Sequence, residues 1–289
     1  MGFSTYTKLY ESCVLPVINY CTGVWGYKNY NKFDQVQQRA LRVFLGVHKY
    51  APIAAIYGDT AWLKPKYHRW IEIIRLWNRL LNFSVNRLTK KIFENDYNLA
   101  LQNNKNWCSE VKAILSSINK ENFFNEKVKL NLTELKNLLV EKQKQDWVTE
   151  INRKPKLRFY RTFKTTFSLE KYVSYNLNSS ERSLTAQLRM GILPLAIETG
   201  RFNNTKAEER LCNICNNGET EDEWHFIFRC ETYENERQLF FNEITLKTPD
   251  FIYLTEENQM DHLFNNEQRA MSKYVKRCFD KRKCVLYSK

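Results

Sequence analysis

Four side chains that bind soft metal ions lie within 19 residues, in the stretch RLCNICNNGETEDEWHFIFRC (210–230). They are Cys212, Cys215, His225 and Cys230, in the pattern C-x2-C-x9-H-x4-C. Two cysteines separated by two residues form a tight turn that points both thiolates at one ion, and the second pair returns from a separate element. We expect that element to be helical from Trp224 to Cys230. Four protein ligands close a tetrahedral shell, so the spacing predicts a structural zinc knuckle; the alternative is four unrelated residues.

The rest of the chain is expected to be helical. Glycine (8) and proline (6) are scarce among 289 residues, and 43% of the residues are hydrophobic. Apolar residues recur at helical spacing over 33–44, 70–81, 107–118 and 132–151, and a shorter helix is expected after Asn178. The asparagine-rich segments 84–106 and 119–131 are expected to be loops. The predicted fold class is therefore mainly α, a helical body with a small C-terminal CCHC zinc knuckle.

No apolar run is long enough for a signal peptide or a membrane span. We therefore expect an intracellular protein, in the nucleus or the cytoplasm, with no membrane partner. Thiols stay reduced in those compartments, so clustered cysteines favour a metal over a disulfide.

Positive charge is concentrated in the first two thirds of the chain. The formal net charge is +13; residues 1–200 carry 31 Lys and Arg against 16 Asp and Glu, whereas residues 201–289 carry 14 against 16. A basic body favours a polyanionic partner, and a solvated basic face is the alternative.

The segment INRKPKLRFYRTFKTTFSL (151–169) is the best candidate for such contacts, because its cations have no acidic neighbours in sequence. Cations can follow a phosphate backbone and aromatic faces can stack on bases. We expect most of these aromatic side chains to pack in the core and the cations to bind RNA or DNA. The candidate nucleic-acid-binding residues are Arg153, Lys154, Lys156, Arg158, Arg161, Lys164, Arg189 and Arg201.

Motifs that would indicate catalysis are missing from the sequence. It contains no Tyr-x-Asp-Asp polymerase site, no G-x-x-x-x-G-K-[ST] phosphate loop and no G-x-S-x-G elbow. The remaining histidines have no partners at a catalytic spacing. We therefore predict no catalytic residues.

Two groups of segments resemble a known family. The first is LPVINYCTGVWGY (15–27) with FDQVQQRALRVFLGVHKYAPIAAIYGD (33–59). The second is RTFKTTFSLEKY (161–172), LRMGILPLAIETGR (188–201) and ERLCNICNNGETEDEWHFIFRCETYENER (209–237). Both are similar to regions downstream of the polymerase domain in non-LTR (LINE-type) retrotransposon reverse transcriptases. One departure is Asp59, where the family pattern has glutamate.

The resemblance implies that Cys212, Cys215, His225 and Cys230 are zinc ligands, and that the chain holds template RNA or target DNA without an active site of its own. It suggests four regions: a thumb- or connector-like post-polymerase region (1–100), a basic helical linker (101–200), the zinc knuckle (201–240) and a helical tail (241–289). Two alternatives remain, a protein-interaction or scaffold remnant and a truncated piece of an active RNA-directed DNA polymerase.

Overall fold

Helices make up nearly all of the regular structure. The computed structural model describes residues 1–287, and these residues form 17 α-helices and no named β-strand. The helices are α1 (Phe3–Leu9), α2 (Leu15–Ile18), α3 (Thr22–Trp25), α4 (Asn31–Leu45), α5 (Ile53–Thr60), α6 (Pro65–Leu81), α7 (Leu88–Leu101), α8 (Trp107–Ser116), α9 (Glu121–Asn125), α10 (Leu132–Arg153), α11 (Arg158–Phe163), α12 (Lys171–Ser174), α13 (Ser179–Arg189), α14 (Ala196–Thr199), α15 (Glu234–Thr245), α16 (Glu256–Asn266) and α17 (Gln268–Tyr287). The predicted mainly α fold class is confirmed.

Short helical turns of other types connect these helices. The π-helical turns are Tyr10–Val14 and His225–Arg229, and the 3₁₀ turns are Pro155–Leu157, Ala207–Glu209, Glu231–Tyr233 and Pro249–Tyr253. The first of the two π turns separates α1 from α2, and the second carries the predicted histidine ligand.

The strongly periodic segments fold as predicted, and the asparagine-rich segments do not. Helices α4, α6, α8, α10 and α13 cover the predicted stripes, and Asn178 caps α13 by accepting a hydrogen bond from the Glu181 backbone N–H at 2.9 Å. The loop prediction for 84–106 is wrong, because α7 runs through it and buries Phe93, Tyr97 and Ala100. Exposed asparagines on its other face hid that stripe. Helix α9 likewise interrupts the predicted loop 119–131.

The chain divides into two units. The N-terminal unit comprises residues 5–38 and 62–149. The C-terminal unit comprises residues 1–4, 39–61 and the chain from Glu150 to the end of the described residues. Both units are discontinuous along the chain, whereas the four predicted regions are continuous segments, so that division stays a prediction.

Aromatic and aliphatic side chains fill the N-terminal unit. Trp77 of α6 is fully buried, stacks on Phe124 with ring centroids 5.4 Å apart, and donates its indole N–H to the Val128 carbonyl at 3.3 Å. Residues of α7, α8 and α10 complete the same cluster. The stripe predicted over 70–81 is therefore the core face of α6.

The C-terminal unit has an apolar core built around α17. Phe240 of α15 stacks on Tyr274 of α17 with ring centroids 4.6 Å apart, and Phe226 and Tyr233 pack in the same cluster. Phe159 of the basic segment is buried there too. Tyr160 is also buried, and Phe163 is half-buried, which agrees with the expectation that most of these aromatic side chains lie in the core.

A second feature of the C-terminal unit is a buried cluster of charges, here called the Asp59 network. Asp59 accepts hydrogen bonds from the hydroxyls of Tyr160 (2.9 Å) and Tyr172 (2.7 Å) and forms an ion pair with the Arg189 Nε at 3.5 Å. Arg189 also contacts Glu170 at 3.0 Å, and Glu170 pairs with Lys164. Burial alone would lower the pKa of Arg189, but Asp59 and Glu170 together hold it above its ordinary value.

Candidate metal centre and basic cleft

The first two ligands of the predicted knuckle lie on a tight turn. The Cys212 N–H donates to the Glu219 carbonyl at 2.8 Å, and an antiparallel bridge joins Leu211 to Thr220 just outside it. Gly218 closes the turn with φ of +81°, a conformation that glycine adopts without steric cost. The turn brings the start and end of the loop together and leaves Cys212 and Cys215 on the same side.

The other two ligands lie at opposite ends of a π-helical turn. The prediction that this segment is helical is confirmed, although its turn is wider than that of an α-helix. The Cys230 N–H donates to the His225 carbonyl at 2.7 Å, which is the i to i+5 hydrogen bond of a π turn. Asp222 accepts from the His225 backbone N–H at 2.9 Å and fixes the beginning of the turn.

The four ligand atoms of Cys212, Cys215, His225 and Cys230 lie within 4.8 Å of one another. A tetrahedral ion with metal–sulphur bonds of about 2.3 Å holds its ligand atoms roughly 3.8 Å apart, so one ion fits this spacing after small shifts. The Cys215 sulphur lies 3.5 Å from Nε2 of His225. Three of the four side chains are at most 2% exposed, and Cys215 is half-buried. The cluster could therefore hold a metal ion in a closed shell.

A carboxylate behind the histidine selects its ligand nitrogen. Oε2 of Glu219 lies 2.7 Å from Nδ1 of His225, an arrangement that favours the hydrogen on Nδ1 and leaves Nε2 available to a metal ion. The sequence presents Glu219 only as part of an acidic run; its spacing of six residues before the histidine is the signal that sequence reasoning missed.

Without a cation, the three thiols oppose one another's ionisation. Burial raises the pKa of Cys215, and the hydrogen bond with Cys212 raises that of Cys230, whereas the same hydrogen bond lowers the pKa of Cys212. Ionisation of one thiol is therefore favoured, and ionisation of the other two is opposed. A bound divalent cation removes that opposition.

A buried acidic residue links the knuckle to the rest of the C-terminal unit. Glu221 is 1% exposed and accepts hydrogen bonds from the Ala196 N–H at 2.7 Å and from the Arg282 guanidinium, one of them at 3.1 Å. It also lies 3.8 Å from the Cys212 sulphur. Helix α17, which carries Arg282, is thereby attached to the loop that carries Cys212 and Cys215.

Three of the eight predicted nucleic-acid-binding residues line one cleft, here called the basic cleft. Lys156, Arg158 and Arg201 lie around a cavity of about 490 Å³, and Arg210, which sequence reasoning missed, lines it too. Gly191 forms part of the wall with φ of +62°, where a β-carbon would lie 3.0 Å from Oε1 of Glu223. The cleft thus collects cations from segments that are distant in sequence.

Each cation of the basic cleft already has a partner. Lys156 pairs with Glu198, which also lies 3.7 Å from Arg201. Arg158 pairs at 2.8 Å with Glu223, whose pKa burial raises to about 7. Arg210 donates to the carbonyls of Ile197 (2.6 Å) and Thr205 (2.6 Å). A phosphate entering the cleft must compete with these carboxylates and carbonyls.

The other five predicted residues do not meet at one site. Lys164 and Arg189 are 2% and 4% exposed inside the Asp59 network, so neither presents its charge to a surface ligand. Lys154 pairs with Glu150, and Arg161 donates to the Asn152 carbonyl at 2.8 Å. Arg153 is exposed at the end of α10.

Comparison of the chain with protein-family models, curated proteins and solved structures finds no match. Within residues 1–287, no helix is both long and apolar enough to cross a membrane.

Proposed function

We propose that the chain is a zinc-stabilised, non-catalytic nucleic-acid-binding module related to the C-terminal region of non-LTR retrotransposon reverse transcriptases. It would hold RNA template or target DNA. The observation that carries the binding proposal is the convergence of Lys156, Arg158 and Arg201 with Arg210 on one cleft. Three of these residues are also among the candidates that the sequence alone predicts.

Zinc is the metal we propose for the Cys/His cluster. Three thiolates and one imidazole are soft and borderline ligands, and a closed tetrahedral set of this kind is typical of structural zinc. The carboxylate behind the histidine is typical of zinc sites as well. Zinc would contribute folding free energy here and no chemistry.

The family proposal is supported by where its motif residues lie. Asp59, Lys164, Glu170, Tyr172 and Arg189 come from three of the segments that carry the resemblance, and they meet in the Asp59 network. The metal ligands come from the last of those segments. The segments that resemble the family thus supply both polar centres of the C-terminal unit.

Metal analysis tests the zinc proposal. The purified chain should contain one zinc per molecule by inductively coupled plasma mass spectrometry, and Cys212→Ser should release it. One metal per chain that is retained in both Cys212→Ser and Cys230→Ser would show that the ligand set is different.

A salt series tests nucleic-acid binding. Fluorescence anisotropy of the zinc-loaded protein with single-stranded RNA and with duplex DNA should give affinities that fall steeply as salt rises, with little dependence on base sequence. Weak binding at every salt concentration would reject the proposal.

The scaffold alternative has one specific observation in its favour. The cleft cations are already paired, and Lys164 and Arg189 are buried, so much of the predicted basic surface is internally neutralised. A protein-interaction module would show weak nucleic-acid binding and a stable protein complex instead.

A further inference from the structure

Helix α17 concentrates positive charge in a part of the chain whose overall balance is slightly acidic. Its 20 residues contain seven Lys and Arg and one Asp, whereas residues 201–289 as a whole carry 14 basic against 16 acidic residues. The net charge of residues 201–289 therefore does not reveal that α17 is strongly basic.

The helix separates its residues between two faces. Met271, Tyr274, Val275 and Cys278 are buried in the core of the C-terminal unit. The opposite face exposes four cations, here called the α17 basic face: Arg269, Lys273, Lys276 and Arg277. This arrangement gives a row of charges along one side of a rigid element.

Three of these cations differ from Lys156, Arg158 and Arg201 of the basic cleft in having no carboxylate partner. Lys273, Lys276 and Arg277 form no ion pair with any residue that the structure describes, and neither does Lys171, which lines a cavity together with Lys273. The fourth, Arg269, lies 3.5 Å from Glu181. A phosphate can bind the three unpaired cations without displacing a protein carboxylate, so the free-energy cost of binding is lower than at the cleft.

The α17 basic face borders a groove. Two cavities, of about 510 and 620 Å³, share Arg269 and Lys273. Lys171, Arg182 and several asparagines line them, together with Glu181, Glu243 and Glu267. Glu267 pairs with Lys247 at 2.7 Å and Glu181 with Arg269, which leaves Lys273 as the cation that borders both cavities and forms no ion pair among the described residues.

An exposed aromatic ring stands in the same groove. Tyr175 lines the first cavity with 57% of its surface exposed. Aromatic faces beside a basic track bind unpaired bases by stacking, whereas duplex DNA keeps its bases stacked on each other. The asparagine side chains nearby offer both donors and acceptors to base edges.

We propose that the α17 basic face and its groove bind single-stranded nucleic acid, with phosphates at Lys273, Lys276 and Arg277 and a base stacked on Tyr175. This inference rests on the proposed nucleic-acid-binding function and assigns its principal contacts to α17 in place of the basic cleft.

The metal centre would support this surface without touching the ligand. Tyr274 donates to the Ile227 carbonyl at 3.1 Å within the π turn that carries His225, and Arg282 holds Glu221 of the knuckle. Helix α17 is therefore fixed at two points to the metal-binding segment, and its outer face is left for binding.

The test compares three charge variants of the zinc-loaded full chain. Lys273→Glu, Lys276→Glu and Arg277→Glu are combined in one variant. The matched control combines Lys91→Glu, Lys105→Glu and Lys129→Glu, three exposed lysines of the N-terminal unit with no ion-pair partner among the described residues. A cleft variant carries Lys156→Gln and Arg201→Gln. Circular dichroism and zinc content establish that each variant is folded.

Anisotropy on single-stranded RNA across a salt series should separate the variants. Loss of three phosphate contacts should reduce the slope of log affinity against log salt by about 2 and weaken binding at least about tenfold at 0.1 M salt. The N-terminal control, with the same change in net charge, should keep the wild-type slope. Tyr175→Ser should weaken single-stranded binding about tenfold and leave duplex binding unchanged.

Each contrary result has its own meaning. If wild type binds RNA and the α17 variant matches the control, or only the cleft variant loses the slope, the α17 assignment is overturned and the proposed function stands. If wild type binds neither nucleic acid at any salt, both are rejected. Binding only to vesicles that contain about one-third phosphatidylserine would reassign the face to an anionic membrane surface.

Discussion

The metal cluster and the Asp59 network are both polar centres in the interior of the C-terminal unit, and they balance their charge in different ways. The Asp59 network contains two carboxylates, one guanidinium and one ammonium, so its formal charges cancel within the chain. The metal cluster brings three thiols together and supplies no cation among its four ligands. The charges of the Asp59 network are balanced as soon as the chain folds, whereas we expect the Cys/His cluster to take up an ion from solution.

Removal of the metal should therefore have the largest effect. Because the thiols oppose further ionisation without a cation, Cys230→Ser or a strong chelator should loosen the segment from Ala196 to Ile244, at a cost of at least about 5 kcal/mol in unfolding free energy. Hydrogen exchange should show lost protection there, with α6 and α8 of the N-terminal unit unchanged. Cys13→Ser, an exposed cysteine of the N-terminal unit, is the matched control. Unchanged protection in Cys230→Ser would mean that metal is not needed for this fold.

The Asp59 network should respond to its own residues and be indifferent to metal. Asp59→Asn keeps the side-chain size but leaves Arg189 with one carboxylate partner in a buried site, which should cost roughly 3–5 kcal/mol. Urea unfolding would measure this, and zinc content should stay at the wild-type value. The exposed pair of Arg229 and Glu256, 2.6 Å apart, offers the control, since Glu256→Gln should cost at most about 1 kcal/mol. Loss of zinc from Asp59→Asn would show that the two centres are coupled.

A milder substitution tests the metal centre without removing a ligand. Glu219→Gln keeps an oxygen facing Nδ1 of His225 but removes the negative charge behind the imidazole, so zinc affinity should fall about tenfold. Competition with a chromogenic chelator would measure that affinity. Glu208→Gln, an exposed carboxylate before the knuckle, should change nothing. An unchanged affinity in Glu219→Gln would indicate that the carboxylate orients no ligand.

Sequence reasoning predicts the metal centre better than the Asp59 network for a physical reason. The four metal ligands lie within one short segment, so their spacing alone fixes their geometry. Asp59 and Arg189 are 130 residues apart, and nothing local to either indicates a partner. Lysine and arginine side chains are usually exposed, so the sequence gives no sign that Lys164 and Arg189 are buried. Only the tertiary fold shows that both lie in the interior and form ion pairs there.

The same distinction applies to the helices and to the basic surface. The apolar stripe of α6 is easy to detect in the sequence because tryptophan and isoleucine recur at helical spacing. The apolar stripe of α7 is harder to detect, because asparagines on the exposed face of that helix separate its apolar residues. The basic residues of α17 are visible in the sequence, but the acidic residues that precede them offset their charge in the sum over residues 201–289, and only the fold shows which of them lie on an exposed face. Local periodicity therefore predicts elements, but charge pairing between distant segments decides which cations remain available for a ligand.

His68 in the N-terminal unit extends the comparison to a half-buried ionisable group whose Nε2 is enclosed and has no hydrogen-bond partner among the described residues. Burial lowers its pKa to about 4; Glu11 opposes this shift, and Lys136 and Arg69 add to it. The unfolded chain takes up a proton near the ordinary pKa of 6.5, whereas the folded chain does not. Stability contributed by neutral His68 is therefore present above about pH 6.5 and is lost as the pH falls towards 4.

Urea unfolding at pH 7 and pH 5 should show the smallest of these effects, a loss of roughly 1–2 kcal/mol at pH 5 that His68→Gln reduces. Six of the seven tryptophans lie in the N-terminal unit, so tryptophan fluorescence in a Trp224→Phe background reports on that unit even if acid releases the metal. A pH dependence that is the same in wild type and His68→Gln would show that His68 is protonated in the folded chain. In that case a half-buried imidazole of this protein would carry a positive charge without an ion-pair partner of the kind found in the Asp59 network and without a metal ion.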